Sequence, residues 1–183
     1  MNVIVLTGGT SKRFGSDKSQ AKLGANSLLE ILVSHLPECE LIIVGPKTAI
    51  PAIYVREEPI GAGPLAAIAA GMQEVTSDLV AIFATDMPFA PLLLNDLTNS
   101  LKNDAILPVD AEQVPQPLSA LYRADALRNS LNTYNNFENE SVKGLLINLN
   151  IELFSTARHD LLIDIDSELQ LEEATKILEG LDS

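Results

Sequence analysis

The chain has 183 residues, 46 % of them hydrophobic, enough to bury most of the surface its unfolded form exposes, and one compact domain over 1–183 is expected. Its formal net charge of −13, from 12 Lys and Arg against 25 Asp and Glu, argues against nucleic acid as a bulk partner and against an anionic membrane surface. No apolar run reaches the roughly 18 residues of a membrane span, and the start of the chain has neither the basic stretch nor the cleavage site of a signal sequence. A lone cysteine, Cys39, permits no internal disulfide and suits a reducing cytoplasm. The two histidines, His35 and His159, are too far apart in sequence for a zinc-type cluster.

In chain order, Val3 to Leu6 reads as a short buried strand. It runs directly into LTGGTSKRFGSDK (6–18), where adjacent glycines (Gly8, Gly9), two hydroxyls (Thr10, Ser11), Gly15 and three cations (Lys12, Arg13, Lys18) follow at once. Glycine lets the backbone approach a ligand and turn its N–H groups inward, and the cations neutralise charge at the rim. The combination suits a polyphosphate. Four of the 12 Lys and Arg fall between Lys12 and Lys22, so an anion site is held in an otherwise repulsive field. The competing reading is a tight turn with solvated cations. The spacing is neither a P-loop nor G-x-G-x-x-G.

Asn26-Ser27-Leu28-Leu29-Glu30 carries a capping-box pattern that opens an amphipathic helix ending near Pro37, with His35 as a partly buried structural residue. Glu40 to Val44 is a second buried strand, stopped by Gly45-Pro46, and Ala52 to Arg56 a third. Gly61 and Gly63 then make a turn, Pro64 sits at the first helical position, and a small-residue helix able to pack closely on a sheet follows. Leu79 to Thr85 is the strongest strand signal and is expected at the centre of the sheet; it runs into Asp86-Met87-Pro88. A helix from Pro91 to about Leu101, a strand at Ala105 to Val109, a hairpin or loop at 110–117 and a returning strand at Leu118 to Tyr122 come next. Two helices (Arg123 to Leu131, Ser141 to Leu149), strand-like stretches at Ile151 to Phe154 and Leu161 to Ile165, and a last helix from Ser167 to about Leu178 complete the chain. Residues 132–140 (NTYNNFENE) read as a polar loop.

Alternating strands and helices predict an α/β fold, a mostly parallel sheet covered on both faces, with an antiparallel strand added by the hairpin. In such sheets ligands sit beyond the carboxyl ends of the strands. The glycine stretch, the Glu57 to Gly63 loop and Asp86 all fall at such ends.

Asp86, facing phosphates, would require a counter-charge, and magnesium binds through one or two carboxylates plus phosphate oxygens. The alternative is that Asp86 caps the helix that follows. Asp164 and Asp166 in LIDIDSELQL alternate along a strand end, so only one is expected to face the crevice. Asp166 is favoured as a second metal ligand, against a plain N-cap by Asp166 or Ser167. Lys18 is placed to reach a leaving pyrophosphate, unless it is a solvated surface lysine. No nucleophile–base constellation supports covalent catalysis, which leaves positioning and electrostatic stabilisation of a phosphoryl or nucleotidyl group. A rival reading is a dinucleotide-binding module, since Gly61-Ala62-Gly63-Pro64-Leu65-Ala66 matches G-x-G-x-x-A; however, Glu57 to Ile60 intervene where a tight turn belongs.

With those residues in view, the chain resembles the molybdenum cofactor guanylyltransferase (MobA-like) family of nucleotidyltransferases. LTGGTSKRFGSDK is similar to the family's L-x-G-G-x-S-x-R-x-G-x-D-K signature, GPLAAIAAGM (63–72) to its GPLAG-plus-helix segment, and Asp86-Met87-Pro88 to its D-x-P. Gln116-Pro117-Leu118 stands where the family has a polar residue and Pro near the second substrate, and Asp164-Ile165-Asp166-Ser167 resembles the stretch before its final helix. The resemblance implies a three-layer α/β/α sandwich, Rossmann-like. It also implies transfer of GMP from GTP to the phosphate of molybdenum-molybdopterin, releasing pyrophosphate. Leu6, Thr7, Gly8 and Gly9 would contact the nucleotide, Gly9 to Gly15 wrap the phosphates, and Arg13 and Lys18 oppose charge on the departing pyrophosphate. Glu58 falls where the family often has an aspartate near the nucleotide, and Asp86 would hold Mg2+. Protein partners in delivery of the labile pterin are also implied. The alternatives are the cytidylyl homologue, a sugar-phosphate nucleotidyltransferase, and a module of the same fold that binds nucleotide without turnover.

Overall fold

The structure is a computed structural model that describes residues 1–7, 22–138 and 140–181. A seven-stranded sheet organises it, built from β1 (Asn2–Leu6), β4 (Glu40–Val44), β5 (Ile53–Val55), β6 (Leu79–Ala84), β7 (Ala105–Val109), β8 (Ser119–Arg123) and β9 (Ile151–Ser155). The strand order is β5-β4-β1-β6-β8-β7-β9, with β6 in the middle as its apolar sequence predicts. β1 pairs in parallel with β4 and β6, β4 with β5, and β7 with β9, whereas β8 is antiparallel to both neighbours. The expected single reversal of a parallel sheet is therefore present.

The inner strands are mostly apolar because both of their faces are covered, with polar residues such as Asn2 of β1 and Glu40 of β4 confined to strand ends. In β1, Val3 and Val5 join a core with Leu28 and Leu32 of α1 (Leu28–Ser34), Leu94 and Leu97 of α3 (Leu94–Ser100) and Ala174 of α6 (Glu168–Leu181). Ile4 and Leu6 point the other way, into a second core with Leu65 and Ile68 of α2 (Pro64–Met72), Leu127 of α4 (Ala124–Leu131) and Leu145 of α5 (Val142–Leu146). Small residues bring α2 close to the sheet: a β-carbon on Gly71 would stand 2.9 Å from Ile4.

Local signals place most boundaries. Ser27 accepts the Glu30 N–H while the Glu30 carboxylate accepts the Ser27 N–H, the reciprocal bonds of a capping box. Pro64 opens α2 at its first turn. His35 is half-buried, its Nδ1 3.2 Å from the Pro88 carbonyl oxygen and its ring against Phe89.

Three expectations need correction, and one element goes beyond them. Leu161 to Ile165 is not a strand: His159–Leu162 forms a 3-10 turn and 163–166 follows without ladder pairing. Leu161, Leu162 and Ile165 are buried all the same, so their apolar pattern reports packing rather than a sheet position. The helix expected over Ser141 to Leu149 is only Val142–Leu146, with Gly144 weakening its interior. Pro91 lies in a 3-10 turn, Ala90–Leu93, that leads into α3. A two-residue hairpin, β2 (Lys22–Leu23) with β3 (Asn26–Ser27), turns through Gly24 at φ 67°, a device too short to leave a periodic signal.

Candidate active site

β1, β4, β5 and β6 are parallel, and β7 shares their direction because both it and β6 oppose β8. Leu6, Val44, Val55, Ala84 and Val109 therefore end at one edge of the sheet, the edge at which open sheets of this kind bind ligands.

At that edge the end of β1 is gripped from both sides. The Thr7 N–H and hydroxyl both donate to the Val44 carbonyl, at 3.1 and 3.0 Å. The Thr85 N–H and hydroxyl both donate to the Leu6 carbonyl, at 3.1 and 2.7 Å. Thr7 and Thr85 are both buried, so these bonds are shielded from water. Leu6 and Thr7 thus form a fixed base from which the glycine-rich segment departs. Gly8, Gly9, Arg13 and Lys18 lie outside the described residues.

Asp86 follows Thr85 directly. The Met87 N–H closes a turn onto the Ala84 carbonyl at 3.1 Å, and Phe89 behind it is fully buried. The N-cap residues of the 3-10 turn and of α3 that come next are Phe89 and Leu93, so Asp86 does not occupy the cap position of either. The chain returns to this point much later: the Ile165 N–H donates to the Asp86 carbonyl at 2.9 Å. With Ile165 anchored there, one carboxylate oxygen each from Asp86, Asp164 and Asp166 lie within 4.8 Å of one another. The expectation that only one of the late pair faces the crevice is corrected here. Strict alternation holds for a paired strand, and 163–166 is not one. Asp166 is not the helix cap either: the Ser167 hydroxyl accepts the Gln170 N–H at 3.3 Å, while the Gln170 side-chain oxygen accepts the Asp166 N–H at 2.9 Å. Asp164, passed over in favour of Asp166, belongs beside it, and the D-x-D spacing was its signal.

Glu58 is not drawn into this cluster. It is exposed, in the connection from β5 to α2, and lines a groove with Arg56, Ala66 and Gln73. That connection is pinned by the Glu57 carboxylate, which accepts the Gly61 N–H at 3.0 Å, and it turns at Gly61 (φ 82°) and Gly63 (φ 101°). The eight residues 56–63 between strand and helix leave no tight turn of the dinucleotide-binding kind.

The connection from β7 to β8 closes the opposite side. The Ala84 N–H donates to the Leu118 carbonyl at 2.8 Å, and the Ser119 hydroxyl contacts the Met87 sulfur at 3.2 Å. Leu118 and Ser119 therefore run alongside the turn that carries Asp86, at Ala84 and Met87.

Known proteins share both sequence and shape with this chain. A protein from Chloroflexus aggregans named a probable molybdenum cofactor guanylyltransferase is 34 % identical over 140 residues, covering 69 % of this chain and 67 % of its own length. One of the same name from Bacillus cereus is 28 % identical over an alignment covering 96 % of each chain. The crystal structure of molybdopterin-guanine dinucleotide biosynthesis protein A from Archaeoglobus fulgidus has the same fold, with a TM-score of 0.79 at 22 % identity over 98 % of this chain and 100 % of that one. The sequence profile of the MobA-like NTP transferase domain matches residues 3–147, and with β1, the α2 connection and Asp86 all inside that match, the chain belongs to this family of nucleotidyltransferases.

Proposed function

We propose that the chain transfers GMP from GTP to the phosphate of molybdenum-molybdopterin, giving the guanine dinucleotide cofactor and pyrophosphate. The observation that carries this reading is the meeting of three carboxylates, from Asp86, Asp164 and Asp166, next to the fixed end of β1 where the glycine- and cation-rich segment begins. The names of the relatives support the choice of guanine and molybdopterin.

The three carboxylates fit a magnesium ion. Oxygen ligands at about 2.1 Å from Mg2+ stand at most about 4.2 Å apart, and oxygens already within 4.8 Å require only small side-chain adjustments to reach that span. All three donors are hard oxygens, as this ion prefers. Bound there, Mg2+ would neutralise the phosphate charge that grows as pyrophosphate departs.

The remaining work falls to the chain's own residues. Leu6 and Thr7 present a rigid edge for the nucleoside, held by Val44 and Thr85. Gly8 and Gly9 let the backbone N–H groups approach the phosphates, and Gly9 to Gly15 wrap them. A phosphate oxygen of the acceptor forms a bond to the α-phosphorus as the bond to the bridging oxygen of pyrophosphate breaks, in line and without a covalent enzyme intermediate. Arg13 and Lys18 stabilise the negative charge on that leaving oxygen. Glu58, in the β5–α2 connection, would contact the nucleotide, as the family resemblance implies. The single thiol, Cys39, is in keeping with a cytoplasmic setting.

Two measurements test the reading. With magnesium, GTP at 100 times its Kd should stabilise the protein by about 2.7 kcal/mol in thermal or urea unfolding, more than CTP, UTP or NADH. Pyrophosphate should then appear when molybdopterin is added. Turnover with CTP but not GTP would make the chain the cytidylyl enzyme, and preferential stabilisation by NADH would overturn nucleotidyl transfer.

A further inference from the structure

The β7–β8 connection holds a side-chain pair that nucleotide transfer as described leaves unused. One oxygen of the half-buried Asp110 accepts the backbone N–H groups of Glu112 and Val114, at 3.0 and 2.8 Å. The other accepts the side-chain nitrogen of Gln116 at 2.7 Å, and the Val114 carbonyl stands 3.5 Å from that same nitrogen. A carboxylate and a carbonyl have no proton to give, so only the NH2 of the Gln116 amide can face them. The amide cannot flip, and its carbonyl oxygen points away from Asp110. That oxygen accepts no hydrogen bond from any described residue.

The backbone around this amide is fixed. The Gln116 N–H donates to the Pro108 carbonyl at 2.9 Å, the Ser119 N–H to the Gln116 carbonyl at 3.1 Å, and the buried Tyr122 hydroxyl to the Pro117 carbonyl at 2.7 Å. Two residues further on, Leu118 is bonded to Ala84, which brings the loop beside Asp86 at the ligand-binding edge.

We propose that Asp110 is a positioning residue for the second substrate: it locks the Gln116 amide so that a hydrogen-bond acceptor faces the acceptor molecule, selecting one that offers an N–H or O–H at that point. The inference rests on the nucleotidyl-transfer reading above. A pterin edge, with its ring N–H and exocyclic amino group, is of the class selected.

The test is a polarity swap. In Asp110→Asn the carbonyl oxygen must stay with the Glu112 and Val114 N–H groups, so the new NH2 turns to Gln116 and forces that amide to reverse. The KM for molybdopterin should rise roughly tenfold or more, as expected when a donor in the site is set against a donor, while the KM for GTP and the urea midpoint stay close to wild type. Asp110→Asn combined with Gln116→Glu restores an acceptor, since the carboxylate takes the Asn N–H with one oxygen and presents the other. Its molybdopterin KM should return toward wild type, whereas Gln116→Glu alone, which sets two carboxylates face to face, should not. Gln116→Ala should match the single Asp110 variant without touching the loop's backbone bonds. An unmoved molybdopterin KM in Asp110→Asn or Gln116→Ala, or no recovery in the double variant, overturns the inference while wild-type turnover stands. Absence of wild-type turnover with GTP and molybdopterin overturns the functional reading, and this inference with it.

Discussion

A β-carbon on Gly45 would stand 1.8 Å from the Thr7 hydroxyl oxygen, on a backbone with φ of 152°. That hydroxyl is buried and bonded to Val44, so moving it aside breaks that bond. Gly45→Ala should therefore cost about 1–3 kcal/mol, the usual range for overpacking, and should weaken GTP binding by displacing Thr7; an unchanged urea midpoint would show that the ends of β1 and β4 separate freely. At Asp86 the expectation is reversed. Asp86→Ala should leave the protein folded, as read by cooperative urea unfolding, yet abolish magnesium-dependent turnover. Arg13→Ala and Lys18→Ala should each lower turnover by roughly 10²-fold or more, in line with the loss of one preorganised charge-stabilising group; milder losses in steady-state kinetics would mean that these cations only attract substrate. Asp86 and Asp166 are legible in the sequence because each follows an apolar stretch at a turn. Asp110 is not, because its role depends on a glutamine six positions on that only the folded loop brings back to it.

Among the elements, α1 has the most explicit start signal. The Ser27 backbone N–H and then its hydroxyl hydrogen-bond the Glu30 carboxylate and hold its pKa below the usual glutamate range. A carboxyl whose folded pKa is lowered contributes stability above its unfolded pKa and loses it as pH falls through the lowered value. Unfolding free energy should thus decline across the acid side of the ordinary glutamate range, and Glu30→Gln should flatten that part of the profile; identical profiles would remove the capping carboxylate from the account. Ser27→Ala should cost about 1 kcal/mol at neutral pH through loss of the N-cap, read from chemical denaturation. The Ser-x-x-Glu spacing made this helix readable before any coordinates. The stretch before α6 was misread as a strand for an equally physical reason: Leu161, Leu162 and Ile165 are buried under the sheet's end rather than paired within it, and alternation alone does not distinguish the two.

For the whole molecule, the sheet was legible because two-sided burial leaves runs such as LIIV and VAIF with no polar gap, and because β6 is the most apolar of them. The convergence of distant carboxylates was only half legible, since the path by which residues 163–166 come back to β6 is irregular. That path carries a consequence of its own. Ile165 is tied to Asp86 across β7, β8, β9 and three helices, so the three clustered carboxylates are split between the turn after β6 and a stretch that follows β9. A polypeptide made only as far as β9 would carry the glycine- and cation-rich stretch and Asp86 but lack the other two carboxylates of the cluster. On the functional reading proposed above, catalytic competence arrives only once residues 164–166 have been made, and a product terminated before them would sequester nucleotide at most, without spending it.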